Sequence, residues 1–115
     1  MSHNYDKLQV YQRSIAVSVE IMKIIDTVRP FRLAEQIISS SISIPSNIAE
    51  GSERSSNKEF SRFLEYSSGS ASELITQLTI LKRAERTFNL DCDALITELH
   101  EINKMLRSLI AKHGR

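Results

Sequence analysis

IPSNIAEGSERSSNKEFSRFLEYSSGSASEL, residues Ile44–Leu74, is the stretch on which a reading of this chain turns. Its proline, two glycines and many serines suit a loop. Yet Ile44, Ile48 and Ala49, then Phe60, Phe63, Leu64, Ala71 and Leu74, recur at helical spacing. Ser56-Asn57-Lys58-Glu59 is a capping box, in which the Ser56 hydroxyl accepts from the Glu59 backbone and Glu59 reaches back. The stretch therefore reads as a helix end, a tight reversal and the first half of another helix.

The upstream helix spans 31–51. Pro30 suits a first helical position, and Ala34, Ile37, Ile38, Ser41, Ile42 and Ile48 share a face. Pro45 removes the bond back to Ser41, so a kink is expected, with a break into two short helices as the alternative. The kink is preferred because the apolar phase continues through Ile48. Gly51 fits a C-terminal stop. The downstream helix covers 56–87. Its Ser67–Ser72 run, with Gly69 in the middle, would let a neighbouring backbone approach closely.

Two further helices flank this pair. Over 5–28, Leu8, Tyr11, Ile15, Met22 and Ile25 form one stripe, and Val10, Val17, Ile21, Ile24 and Val28 form another. That surface is wider than one partner helix needs. Asn4 or Asp6 suits its cap. Over 91–112, Cys92, Leu95, Leu99, Ile102, Leu106 and Leu109 step as a heptad seam, with Asn89 or Asp91 as the cap. Four segments with short connections predict an all-α, antiparallel up-down-up-down four-helix bundle in one domain, 1–115.

The 115 residues carry a net charge of +1, so no bulk field favours nucleic acid or membrane. Cys92 is the only cysteine, which excludes an intrachain disulfide and points to a reducing compartment. The start, MSHNYDKLQVYQ, is polar without a signal-peptide core, and no apolar run reaches the roughly 18 residues of a membrane span. A cytoplasmic protein is the expectation.

Catalytic equipment is hard to find. His100-Glu101 opens like a zinc-protease helix, but Lys104 stands where the second histidine belongs. His3, His100 and His113 read as solvated side chains, and Cys92 as a structural thiol. Di-metal bundles use Glu-x-x-His, whereas Lys23, Glu53, Thr76 and Glu101 follow Glu20, Glu50, Glu73 and Glu98 at that spacing. No catalytic residue, metal or cofactor is expected. Asn47 with Glu50, and Glu73 with Gln77, read as structural hydrogen-bond pairs one turn apart, with both carboxylates as candidate buried acceptors.

The basic residues are more suggestive. The topology collects Arg29, Arg32, Lys82, Arg83 and Arg86 at one end, diluted by Asp26, Glu35, Glu85, Asp91 and Asp93. Arg54, Lys58 and Arg62 form an i, i+4, i+8 ridge towards the other end. Either cluster can contact phosphates, although cations also favour a helix C-terminus for its dipole alone.

SIPSNIAEG at 43–51, EFSRFL at 59–64 and GSASEL at 69–74 resemble the family of 23S rRNA intervening-sequence proteins, with relatives among the accessory proteins of diversity-generating retroelements. Lys7–Gln12, Leu33 and Gln36 are similar to the family's openings of the first and second helices. The resemblance implies a four-helix bundle assembled as a homopentameric barrel. It implies no enzymatic activity, and it implies RNA, DNA or a nucleic-acid-processing protein as partner. The resulting expectation is a non-catalytic oligomer that binds structured RNA, with a pure protein-interaction scaffold as the alternative. Asn47, Glu50, Gly51, Ser56, Glu59, Gly69 and Glu73 are expected to fix the central hairpin.

Overall fold

The apolar stripes become a core only if each helix turns one of them inward, and that selection is visible in the computed structural model, which describes residues 5 and 8–113. Four α-helices are present among these: α1 (Gln9–Ile24), α2 (Phe31–Ser52), α3 (Asn57–Arg83) and α4 (Cys92–His113). Each helix touches its sequence neighbours, and α4 closes on α1. No diagonal pair is adjacent among the described residues. The molecule measures 44 × 21 × 20 Å, so helices about 25–40 Å long lie along its long axis.

On α1 the inner stripe is Val10, Val17 and Ile21, which are buried, while Val19 and Met22 remain 47% and 54% exposed. Helix α1 starts at Gln9 rather than 5, with Leu8 extended at its cap, and it passes at Ile25–Thr27 into a 3-10 turn instead of running to 28. Val28 then turns extended, with its side chain completely buried. The expected caps Asn4 and Asp6 lie outside the described residues, as does His3.

Pro30 caps α2 rather than occupying its first turn, and its carbonyl accepts from the Leu33 and Ala34 backbones. The helix is continuous across the buried Pro45, so the two-helix alternative does not apply. Gly51 lies inside α2 and not beyond its end, and it has no positive φ. Its role is close approach: an added Cβ would sit 2.5 Å from Phe63 Cβ and 3.3 Å from the Phe60 carbonyl oxygen of α3.

Ser56 caps α3, its hydroxyl accepting from the Glu59 backbone at 3.1 Å. The reciprocal half of the box is replaced: the Glu59 carboxylate accepts from Arg62 at 2.9 Å. Helix α3 ends at Arg83, short of the expected 87, because Glu85 turns left-handed at φ 56°. Arg86 then donates to the Leu81 carbonyl and Glu85 to that of Lys82, the paired bonds of a Schellman motif. Asp91 caps α4 through a 3.1 Å bond from the Ala94 backbone. Its inner seam ends on Ile110, with Leu109 half-buried beside it.

The serine run around Gly69 splits by face. Ser67, Ser68 and Ala71 are buried, and the Ser67 hydroxyl donates to the Ile44 carbonyl of α2 at 2.8 Å. Gly69 points the other way and has nothing within 4 Å of where a Cβ would stand. The run thus meets the α2 backbone through Ser67, as expected of small residues, while Gly69 itself takes no part in that contact.

Candidate nucleic-acid interface

Register across α2 and α3 sets where the basic residues fall. Ser40 meets Glu73 (3.2 Å), Ser43 meets Ser70 (2.8 Å) and Ser67 meets the Ile44 carbonyl, so residues rise along one helix as they fall along the other. The start of α2 thus adjoins the end of α3, and Arg29, Arg32, Lys82, Arg83 and Arg86 share one end of the domain. They are not equivalent. Arg29 donates to the carbonyls of Asp26 and Val28 and lies 5.8 Å from the centre of the Phe31 ring. Lys82 pairs with Asp93 at 2.5 Å. Arg32, Arg83 and Arg86 are exposed and enter no ion pair among the described residues. Phe31 stands beside them, 70% exposed.

The second cluster is built differently from the single ridge expected. Arg54 is in the turn between α2 and α3, so only Lys58 and Arg62 share α3. Phe63 reunites them. The Arg54 guanidinium lies 4.7 Å from its ring centre and that of Arg62 5.7 Å. Lying over the ring also accounts for the buried Arg54 Nε having no hydrogen-bond partner. Arg54 pairs with Glu50 at 2.6 Å and Arg62 with Glu59 at 2.9 Å, both exposed pairs one turn apart. Such pairs contribute about 0.3–0.5 kcal/mol, so a phosphate can displace them. Tyr66, one turn beyond Arg62, meets Phe63 edge-on at 5.4 Å and is 49% exposed. The sequence reading passed over Tyr66. Its signal was the aromatic placed four residues after an arginine.

Between the two clusters runs a shallow polar trough. One recess of about 730 Å³ is lined by Ser43, Asn47, Tyr66, Gly69, Ser70 and Glu73 among others. It shares Glu73 with a second recess of about 420 Å³ that reaches Ser39, Gln77 and Arg32. Asn47 spends its amide hydrogens on the Ser43 carbonyl and hydroxyl, Glu50 accepts from Arg54, and Glu73 accepts from Ser40. Glu50 and Glu73 are therefore exposed acceptors and not buried ones, and neither Asn47–Glu50 nor Glu73–Gln77 is a described hydrogen bond. Gln77 is 8% exposed and its amide oxygen finds no donor.

Cys92, the one cysteine of the sequence, is buried and free. Burial, followed by the charges of Asp93 and Asp91, pushes the Cys92 thiol up, away from the reactive thiolate. His100 is exposed. Among the described residues no three His, Cys, Asp or Glu side chains converge on a metal-sized site. No described helix is long and apolar enough to cross a membrane.

Among the described residues the molecule is all-helical, with four α-helices and a group of cations towards each end of α3. The chain belongs to the 23S rRNA-intervening sequence protein family, whose profile matches residues 6–108. It is similar to a protein of unknown function from the S23 ribosomal protein family of Bacteroides thetaiotaomicron. The two are 28% identical, with a TM-score of 0.79 over 88% of this chain and 97% of that chain. No curated protein matches the chain.

Proposed function

We propose that the chain is a non-catalytic oligomeric scaffold of the cytoplasm that binds structured RNA along its α2–α3 face. The helices run antiparallel, up-down-up-down, and the copies form the homopentameric barrel that the family resemblance implies. The reversed residue order across α2 and α3 supports the topology. Across α3 and α4 the order reverses too, with Phe60 beside His113 and Lys82 beside Asp93.

One observation carries the RNA reading. A continuous polar trough runs from Tyr66, beside Arg62, to Arg32, and it also carries Glu35, Glu65 and Glu73. From Arg62 to Arg83 the α3 side of the domain is about 30 Å long. Its open cations, Arg32, Lys58, Arg83 and Arg86, suit a polyanion, and copies in a ring repeat them. A low-salt gel-shift assay with structured RNA at micromolar protein tests this. Binding should weaken when Arg32 and Arg83 are reversed to glutamate, with a shallower salt dependence. Failure of both RNA and DNA to shift removes the reading.

The exposed Val19 and Met22 of α1 and Ile42 of α2 favour self-association, and they equally suit a protein scaffold without nucleic acid. Light scattering that shows a monomer at high concentration refutes the oligomer. A single protein partner retained after nuclease treatment would replace the RNA reading with the scaffold.

A further inference from the structure

The Tyr66 corner of this face has a shape that phosphate binding does not need. Its ring is held by an edge-on contact to Phe63, and Phe63 is itself clasped by the guanidiniums of Arg54 and Arg62. A half-exposed aromatic fixed by neighbours loses little entropy when it stacks on a ligand. Gly69 lies one turn further along the same face, and the space above it is open. Neither a positive φ nor a packed neighbour within the chain explains a glycine there, where it costs about 1 kcal/mol relative to alanine. The open floor beside Tyr66 is rimmed by Ser43, Asn47 and Ser70. Asn47 uses its amide hydrogens internally, which leaves its oxygen to accept.

Charge gives the corner a direction. Lys58, Arg54 and Arg62 stand on one side of Tyr66, with the Arg62 guanidinium 5.9 Å from its ring centre. Glu73 stands two turns beyond Tyr66 on the other side and, with Glu65, lines the trough. A phosphate is attracted to the first side and repelled from the second. The N–H edge of a nucleobase is accepted by the second.

We infer that Tyr66 stacks an unpaired base of the RNA, with Lys58 and Arg62 holding the adjacent phosphate and the base edge lying over Gly69 towards Asn47 and Glu73. The inference rests on the RNA-binding reading and narrows it: the ligand is a loop, bulge or single strand at this corner, and not a continuous duplex. Bases locked in a helix offer no open face to a side chain, whereas unstacked bases do.

The test uses the full-length protein and two fluorescein-labelled RNAs of equal length, a hairpin with an unpaired loop and a blunt duplex. Anisotropy at low salt should show the hairpin bound at least tenfold more tightly. Tyr66→Ala should cost the hairpin about tenfold, within the range of one base–aromatic stack, without changing its salt slope. Tyr66→Phe should keep wild-type affinity. Arg62→Glu should instead reduce the salt slope by about one. As a check independent of folding, a loop carrying 5-iodouracil should cross-link wild-type protein at Tyr66. Equal affinity for hairpin and duplex, an unaffected Tyr66→Ala, or cross-links confined to the Phe31 end overturns the stacking inference while leaving RNA binding intact. If wild type binds neither RNA, the broader reading fails with it.

Discussion

The Ser18 hydroxyl of α1 donates a 2.9 Å hydrogen bond to the backbone carbonyl of Ser41 in α2. That carbonyl is the one a helix would satisfy from the residue four further on, which is Pro45 and has no N–H. A side chain from the neighbouring helix therefore supplies the donor that the proline removes. This is how α2 continues across a proline with its interior polar group satisfied, and it ties α1 to α2 where they meet.

Ser18→Ala should destabilise the protein by about 1 kcal/mol, the net worth of one such bond plus part of the cost of an orphaned carbonyl. In a Pro45→Ala background the backbone N–H is restored, so removing Ser18 should matter much less. A double-mutant cycle by urea denaturation would read this as a coupling of about 1 kcal/mol. Additive single effects would show that water already satisfies Ser41.

Much of this fold is legible in the chain because its signals are local. The α2 stripe, the Ser56 cap and the seam of α4 each depend on residues one turn apart. What a sequence cannot display is which element faces a given group. Pro45 is visible, but its compensating donor lies 23 residues from Ser41 on another helix. Gly51 and Gly69 look alike in sequence, yet one meets α3 and the other meets open space. The candidate interface was legible as two lists of cations. That Phe63 draws Arg54 to Arg62, and that Arg29 and Lys82 are occupied, are three-dimensional facts.

The two glycines should respond in opposite ways to alanine. Gly51→Ala places a methyl 2.5 Å from Phe63 Cβ and close to the α3 backbone, so α2 and α3 must separate. A loss of about 1–3 kcal/mol is expected from overpacking of this kind. Gly69→Ala meets nothing and should gain about 0.5–1 kcal/mol, because it favours the helix and restricts the unfolded chain. Thermal melts of the two variants would separate these effects. A loss at Gly69 would reveal another copy packed on that face.

Glu85 is the left-handed residue of the turn that ends α3, a position normally given to glycine. Glu85→Gly should relieve about 1 kcal/mol of backbone strain while retaining the bonds from the 85 and 86 backbones to the ends of the helix. A melting temperature raised by several degrees is expected for a domain of this size. No rise would mean that the extra unfolded-state freedom of glycine offsets the relief.

Arg13 of α1 grips Glu98 of α4 with two hydrogen bonds, 2.7 Å from Nε and 2.5 Å from Nη2. The guanidinium's hydrogen bond holds the Glu98 carboxyl below its ordinary range, against the opposing effect of burial. The sign follows directly. As pH falls, the unfolded chain takes up this proton first, so the stabilisation is full above about 4.5, the ordinary carboxyl value, and is lost as pH drops through the lower folded value. The Arg13 guanidinium is pushed further up by the same bond and stays charged throughout. Glu98→Gln should therefore be less stable than wild type near neutral pH, and the gap should close in acid. Denaturation midpoints collected from about pH 7 to pH 3 check this. A gap that is the same at every pH would mean that the pair contributes through packing and not through charge.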